Sequence, residues 1–332
     1  MDIPPKHIPV IRQIVQASYL VFCIWTGWRF FLFFEWATGR SGIYIPRPPS
    51  VEAFLPISAL LGLKRLVMTG NWDPVHPAGL SIFLAILIAS LLWRKGFCAW
   101  TCPVGAVSNM FERIGRRLGT IRNLPSWIDL GLLSLKYLLL GFFIYIILWK
   151  MNLKQVEGFI SSPYNISVDA RMLLFFTKPS FLSLAVFAFL ALTSLFIRNF
   201  WCRYLCPYGA LLGILALASP VQITRDQKSC TGCGKCERAC PSSIKITRMQ
   251  TVRTCECTGC MECLPVCPVK ECLSPSLVPG RKRVPKYLIP LGTVLTLAFF
   301  YILSLTFGHW HSLVPDDSLK NIYQMQLLAN PG

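Results

Sequence analysis

Residues 230–241 read C-T-G-C-G-K-C-E-R-A-C-P, and residues 257–268 read C-T-G-C-M-E-C-L-P-V-C-P. Each segment has the spacing C-x2-C-x2-C-x3-C-P. In this spacing three close thiolates cover one face of an iron–sulfur cube, and the fourth ligand comes from the other segment. The pattern therefore predicts two [4Fe–4S] clusters. Their predicted ligands are Cys230, Cys233, Cys236 and Cys267 for cluster 1, and Cys257, Cys260, Cys263 and Cys240 for cluster 2.

Two other uses of these cysteines fit less well. A zinc site pairs cysteines two by two, and neither zinc nor a disulfide knot requires a third cysteine and a distant Cys-Pro in both segments. Cys255 offers an alternative register for the second segment, but the match of C-T-G-C to the first segment favours Cys257. We therefore interpret residues 221–275 as an inserted α+β domain of the bacterial two-[4Fe–4S] ferredoxin type.

The chain around this domain has the composition of an integral membrane protein. Its 332 residues are 54% hydrophobic and 14% charged, and the mean hydropathy is +0.52. A spanning helix needs about 20 mostly apolar residues. Five stretches qualify, at roughly 10–36, 77–93, 128–149, 181–197 and 287–307. We expect an α-helical membrane protein with about five transmembrane helices, four of them within residues 1–220. Residues 276–332 then contain a linker, the fifth helix and an outer-face tail.

The distribution of basic residues predicts the orientation. Most of the 33 lysines and arginines fall in segments 1–13, 94–127 and 198–286, which alternate with the predicted helices. By the positive-inside rule, the N-terminus and the ferredoxin domain are expected in the cytoplasm and the C-terminus on the outer face of a bacterial inner membrane. The net charge of +18 is then largely topological. Because no nucleic-acid motif accompanies it, we do not expect a nucleic-acid partner.

A repeat with the pattern R-x3-C-x3-C-P-x-G-A begins at Arg94 and again at Arg198. Each copy follows a predicted membrane helix, so the first four helices are expected to form a bundle with pseudo-two-fold symmetry. The repeat contributes four cysteines, Cys98, Cys102, Cys202 and Cys206. We interpret them as ligands of a further iron–sulfur centre or as two redox-active thiol pairs. Buried free cysteines are the alternative, and duplication of the whole motif argues against it.

Ionisable residues near the predicted outer face are candidates for a quinol site. They are His76, His309, His311, Arg29 and Glu35. A quinol loses two protons as it loses two electrons, and imidazole is a suitable proton acceptor near neutral pH. Ionisable groups at the edge of a bilayer are functional candidates, although long side chains also snorkel there without a function.

The membrane helices, the two C-x3-C-P motifs and the eight-cysteine ferredoxin segment together resemble the NapH/NosR-type membrane polyferredoxins. The resemblance covers roughly residues 80–270. It implies electron transfer from menaquinol or ubiquinol towards periplasmic reductases, alongside other subunits. The family's cysteines map onto the four repeat cysteines and the eight ferredoxin cysteines. Two departures are visible: no large flavin-binding domain precedes the helices, and a fifth predicted helix follows the ferredoxin.

These features predict a membrane-bound subunit that transfers electrons but does not itself carry out the terminal reduction. No nucleotide-binding loop or hydrolytic triad is present, so we assign no catalytic residues. The expected partners are membrane lipid, quinone or quinol, and other subunits of a redox complex, such as an outer-face cytochrome or reductase or a peripheral ferredoxin. Two alternatives are a maturation or regulatory protein that uses the same clusters for metal reduction or redox sensing, and a plain membrane anchor for a ferredoxin.

Overall fold

The computed structural model describes residues 3–122, 124–278 and 282–325. The helices are α1 (Ile8–Ala37), α2 (Pro56–Thr69), α3 (Pro77–Trp93), α4 (Pro103–Arg117), α5 (Ser126–Ile144), α6 (Leu153–Ile160), α7 (Pro163–Ile166), α8 (Val168–Thr177), α9 (Phe181–Phe196), α10 (Pro207–Ala216), α11 (Lys235–Ala239), α12 (Leu288–Thr306) and α13 (Asp316–Tyr323). The strands are β1 (Val221–Arg225), β2 (Leu273–Leu277) and β3 (Lys282–Arg283). The protein is thus mostly helical.

The chain divides into two compact units. The cysteine-rich unit consists of Met1–Leu20, Ile86–Leu140 and Ala188–Leu297. The second unit consists of Val21–Ala85, Gly141–Phe187 and Ala298–Gly332. The predicted ferredoxin residues therefore share one unit with both C-x3-C-P motifs.

Within the described residues, three helical segments are long and apolar enough to cross a membrane: Pro5–Ala37, Trp127–Lys150 and Leu288–Thr306. Helices α8 and α9 would make a fourth span if counted together, and they are bent by 73°. The sequence predicted a continuous span only from residue 181, and the bend follows from Pro179, which cannot continue the helix. Helix α3 has 17 residues, or about 26 Å, slightly less than a hydrocarbon core of about 30 Å. The five-span count and the four-helix bundle stay predictions.

Both C-x3-C-P motifs fold in the same way. A π-helical turn, Phe97–Thr101 or Trp201–Leu205, leads into the second cysteine of the motif. That cysteine caps the next helix: Sγ of Cys102 accepts from the Gly105 amide at 3.4 Å, and Sγ of Cys206 accepts from the Gly209 amide at 3.2 Å. The proline that follows begins the helix, because the first turn needs no amide donor there.

The ferredoxin segment begins and ends in one small antiparallel sheet. Strand β1 pairs with β2 from Val221↔Leu277 to Arg225↔Leu273, and β3 adds to β2. The buried side chains of Val221, Ile223 and Met261 pack with Trp100 in one core. The predicted boundary at residues 275/276 falls inside β2, because a five-residue strand containing proline resembles a linker in sequence. Arg281, part of the predicted basic linker, lies outside the described residues.

The second unit has an aromatic core. Phe30, Phe33 and Phe34 of α1 pack with Ile160 of α6 and with Tyr323 of α13. The predicted outer tail is therefore ordered through Tyr323, which is fully buried.

Helix α12 approaches Trp93 closely at Gly292, where an added Cβ would lie 2.5 Å from Cε2 of the indole. The neighbouring Thr296 hydroxyl accepts a hydrogen bond from the Trp93 indole at 3.0 Å, which holds the ring in place. We expect Gly292→Ala to lower the free energy of unfolding by about 1–3 kcal/mol, because the rigid ring cannot yield. Thermal unfolding in detergent would measure the loss.

The matched control is Gly131→Ala on α5, where an added Cβ has open space. This change should leave the stability unchanged or raise it by up to about 1 kcal/mol through helix propensity. Equal stability of the two variants would contradict the close packing at Gly292.

Candidate electron-transfer site

Two cavities in the cysteine-rich unit are lined by the predicted cluster ligands. One cavity is lined by Cys230, Cys233, Cys236 and Cys267. A second cavity is lined by Cys240, Cys257, Cys260 and Cys263. Each cavity thus receives three cysteines from one segment and the fourth from the other, which is the arrangement expected from the spacing.

The donor set fits cubane clusters. In the part of the chain that the structure describes, no three His, Cys, Asp or Glu side chains converge as ligands of a single metal ion would. The cysteines instead surround two cavities, where each thiolate can bind a different iron of a cube. The loops also have the required shape, because Gly232 and Gly259 adopt φ of 69° and 70°. Met261 adopts a φ of 59° at the position matching Gly234, a conformation that is costly for a side chain.

The structure brings the four repeat cysteines together. The charges of Cys98, Cys202 and Cys206 all act on the thiol of Cys102. The side chain of Asn199 ties the two motifs, since it contacts Ser108 at 2.8 Å and donates to Glu112 at 2.8 Å. The four repeat thiols therefore lie close enough to act on one another electrostatically.

Burial raises the pKa of three of these thiols, Cys98, Cys102 and Cys202. It raises the pKa of Cys98 to about 11 and that of Cys202 to about 12, with Cys206 contributing to both. A neutral thiol is a poorer nucleophile than a thiolate.

The ferredoxin is docked on the repeat through Arg94, which is fully buried. Its guanidinium donates to the carbonyls of Thr254 at 3.0 Å and Cys257 at 3.2 Å. It also donates to the Ala216 carbonyl at 3.3 Å and to the side chain of Gln222. Cys257 is a predicted ligand of cluster 2, so one charged side chain joins the end of α3 to the loop of that cluster.

The equivalent arginine of the second repeat reaches the same predicted cluster. Arg198 donates to the carbonyl of Cys240 at 3.1 Å. The Trp100 indole donates to the Gly259 carbonyl at 3.3 Å, and the Lys95 ammonium donates to the Cys255 carbonyl at 3.3 Å. The repeat therefore contacts both segments that supply ligands to cluster 2.

Two ion pairs add to this docking, and the sequence did not suggest either. Lys136 of α5 is fully buried, and its ammonium lies 2.6 Å from the Glu256 carboxylate. Arg12 of α1 lies 2.8 Å from Glu262. Burial alone would raise the pKa of Glu256, but Lys95 and Lys136 hold it below its usual value. The partners are far apart in the chain, and no periodic pattern in the sequence connects them.

The structure separates the five predicted quinol-site residues. The Ser81 hydroxyl at the start of α3 donates to the carbonyls of Pro77 at 2.9 Å and His309 at 3.3 Å, so the backbone at His309 lies beside the helix start that follows His76. Glu35 instead pairs with Arg40 at 3.2 Å. Arg29 is half-buried on α1, and His311 is exposed.

Sequence reasoning missed a buried polar network around His76 in the second unit. Arg47 pairs with Glu52 at 2.8 Å and with Asp169 at 2.7 Å, and the Tyr323 hydroxyl donates to Asp169 at 2.7 Å. Nδ1 of His76 lies 3.5 Å from Glu52, and its Nε2 contacts the Asn165 carbonyl at 2.9 Å.

The charges of this network shift two pKa values in opposite directions. Burial would raise the pKa of Glu52, but Arg47 and His76 together hold it below its usual value. Burial would lower the pKa of His76, but Glu52 raises it above its usual value. The pair is thus favoured in its ionised form. From the sequence alone, charged loop residues of this kind are interpreted as indicators of membrane topology.

Comparisons with protein families agree with this site. A 4Fe-4S binding domain matches residues 75–121 and 179–222, which contain the two C-x3-C-P motifs. A 4Fe-4S dicluster domain matches residues 222–268, the ferredoxin segment. No solved structure matches the chain.

Several relatives align over most of the chain. It is 38% identical to "Putative electron transport protein YccM" of Escherichia coli (strain K12) over 317 residues, which are 93% of this chain and 88% of that protein. It is 33% identical to "Uncharacterized protein MJ0749" of Methanocaldococcus jannaschii, over 68% of this chain and 78% of that one. "Regulatory protein NosR" of Pseudomonas aeruginosa is 30% identical over 70% of this chain and 30% of its own length.

The contact of Arg198 with Cys240 predicts an electrochemical effect. Reduction adds negative charge to a cluster, so a nearby guanidinium favours the reduced form. We expect Arg198→Gln to lower the reduction potential of one of two clusters by tens of millivolts, without loss of iron. A redox titration followed by electron paramagnetic resonance would measure the change.

Arg253→Gln is the matched control, because this exposed arginine donates to the Leu217 carbonyl and not to a cysteine. It should leave both potentials unchanged. If Arg198→Gln also leaves both unchanged, the arginine does not act on a cluster.

Proposed function

This chain belongs to the family of ferredoxin-type membrane electron-transport proteins that includes YccM, NosR and MauN, and we propose that it relays electrons between the quinone pool and a partner redox protein. It would act as a non-terminal iron–sulfur subunit of a respiratory complex. The observation that carries the proposal is the docking of the ferredoxin on the repeat. Arg94 and Arg198, each the first residue of one copy of the repeat, hold the carbonyls of Cys257 and Cys240.

The docking supports a fixed order of redox centres. The loops that hold Cys257 and Cys240 contact the repeat, so cluster 2 would exchange electrons with the membrane-edge centre. Cluster 1 would follow, since each segment of the ferredoxin gives one ligand to the other cluster. When bound, the clusters supply one-electron chemistry. The protein's own contribution is to hold the loops at constant separation, through the buried contacts of Arg94 and Trp100.

We further propose that the four repeat cysteines hold a third iron–sulfur centre. Their convergence supports this, as does the match of the surrounding residues to a 4Fe-4S binding domain. The helix caps at Cys102 and Cys206 also favour charged sulfur, because each sulfur accepts a backbone amide at a helix N-terminus.

The quinol end of the relay is proposed to lie at His76 in the second unit. Oxidation of a quinol releases two electrons and two protons, and the electrons would leave one at a time. The His76–Glu52 ion pair offers a buried carboxylate as the proton acceptor, with the imidazolium beside it. His309, which stacks on Trp72 with ring centroids 4.6 Å apart, borders the start of α3.

The proposed topology has five spans, with the N-terminus and ferredoxin in the cytoplasm and the C-terminus outside. The distribution of lysines and arginines supports it. In this arrangement α3 serves as a short second span, and the bent pair of α8 and α9 serves as the fourth.

A regulatory or maturation role is the second candidate, and the name of NosR, a regulatory protein, favours it. Quinol-dependent bleaching of the cluster spectrum separates the two. If the purified protein is an electron relay, quinol bleaches its cluster spectrum. If it is a maturation protein, it instead changes the metal content of its target enzyme.

Iron analysis tests the third centre. We expect the triple variant Cys98→Ala/Cys102→Ala/Cys206→Ala to lose the iron of one cluster while the two ferredoxin clusters keep their spectra. Cys23→Ala is the control, because Cys23 is a half-buried residue of α1 far from any cysteine motif in the sequence. Equal iron in the triple variant and the control would exclude a third iron–sulfur centre.

Rapid mixing with a menaquinol analogue tests the quinol end. His76→Gln should slow cluster bleaching at least about tenfold, because it removes the charged partner of Glu52 from a proton transfer that contributes roughly 100-fold or more. The iron content should stay unchanged. His311→Gln alters an exposed histidine and should have a smaller effect. Unaltered quinol kinetics in His76→Gln would remove this residue from the relay.

A further inference from the structure

The two predicted clusters differ in their access to water. All fifteen cysteines lie in the described part of the chain, and among them Cys233 alone is exposed. Its neighbours in cluster 1, Cys230 and Cys267, are half-buried. In cluster 2, Cys240, Cys260 and Cys263 are buried. Because electron transfer between proteins slows steeply with distance, cluster 1 is the better point of exchange with a soluble partner.

Two acidic residues of the ferredoxin lie next to ligands of cluster 2 and form ion pairs with α5 and α1. Glu256 and Glu262 flank ligands of cluster 2 in the sequence, and they pair with Lys136 at 2.6 Å and Arg12 at 2.8 Å. Their negative charge is therefore balanced within the cysteine-rich unit.

The segment around cluster 1 is rich in basic side chains instead. It carries exposed basic side chains, here named the basic surface: Lys228, Lys235, Arg238, Lys245, Arg248 and Lys270. Lys235 lies between two ligands of cluster 1, and Arg238 donates to the Cys233 carbonyl at 3.2 Å.

Three carboxylates lie beside the six basic side chains of the basic surface, which is too few to balance its charge. Glu237 accepts from the Thr247 amide at 2.9 Å and from its hydroxyl, and Glu271 pairs with Arg283. Asp226 accepts from the Lys228 amide at 3.1 Å. The surface therefore keeps an excess of positive charge around the exposed Cys233.

We propose that the basic surface docks a small soluble carrier protein of acidic surface that exchanges single electrons with cluster 1. In each encounter the carrier loses one electron and the protein gains one, or the reverse. Opposite charges steer such encounters and orient the partners. An anionic membrane surface is less favoured as the occupant, because the contacts with the membrane-helix ends come from the loops of cluster 2, through Arg94 and Arg198.

This inference rests on the proposed two-cluster relay. The test uses the full-length protein in nanodiscs of neutral lipid and a reduced flavodoxin, a small acidic flavoprotein, as the probe. The variant is Lys235→Glu/Lys245→Glu. The control Lys6→Glu/Arg122→Glu changes the net charge equally, at exposed residues of the same unit.

At low ionic strength the charge-reversed variant should accept electrons from flavodoxin about tenfold or more slowly than the wild type, and should bind it correspondingly more weakly. The control should match the wild type. Added salt should slow the wild type and abolish the difference, because about 0.1 M salt screens charges beyond roughly 10 Å.

Equal rates and equal binding in the variant and the control would overturn the proposal. A variant that keeps the flavodoxin rate but loses binding to phosphatidylglycerol vesicles would assign the surface to lipid and also overturn it. Reduction by a small uncharged mediator shows that the clusters are redox-active. If flavodoxin reduces the clusters and quinol does not, only the proposed quinol link is rejected. If flavodoxin alone does not reduce them, the proposed docking is rejected.

Discussion

The buried guanidinium of Arg94 is the interaction on which the cysteine-rich unit depends. A buried cation is costly unless its donors are satisfied. Here the two terminal nitrogens donate to backbone carbonyls and one amide side chain, not to a carboxylate, whereas the buried Nε has no partner among the described residues. Because those carbonyls belong to the ferredoxin loop and to the end of α10, the charge is satisfied only when the ferredoxin is in place. Docking and burial of Arg94 are therefore one event, and the positive φ of 62° at this residue is maintained by the same contacts.

The second copy of the repeat supplies an equivalent arginine, and this arginine contacts a different loop of the ferredoxin. Arg94 reaches Cys257 and Arg198 reaches Cys240, although the two arginines occupy equivalent positions in the repeat. Two equivalent positions of the repeat thus bind two non-equivalent loops of the ferredoxin. The exchange of the fourth cysteine between ferredoxin segments makes this possible, since both loops then border the same cavity.

The two predicted ligand sets come from the cysteine spacing alone, because the fourth-ligand exchange is a rule of the motif and does not depend on the surrounding fold, and each set lines one cavity. The docking was not predictable, because Lys136 and Glu256 are 120 positions apart and nothing periodic relates them. The network of Arg47, Glu52 and Asp169 was missed for a related reason. Loop charges in a membrane protein are first interpreted as topology, and their burial appears only when α8 and the loop before α2 come together. The quinol-site candidates were partly scattered, since proximity to one membrane face does not bring side chains into contact.

The pairing of β1 with β2 has a consequence for the evolution of such chains. Val221 opens the ferredoxin and Leu277 lies near its end, and the two are directly paired across the sheet. The inserted domain therefore enters and leaves through points about 5 Å apart. A module with adjacent ends can be exchanged for another without altering the spacing of the helices on either side. The membrane scaffold and its electron-carrying insert can thus diverge independently, provided that the carbonyls facing Arg94 and Arg198 are kept.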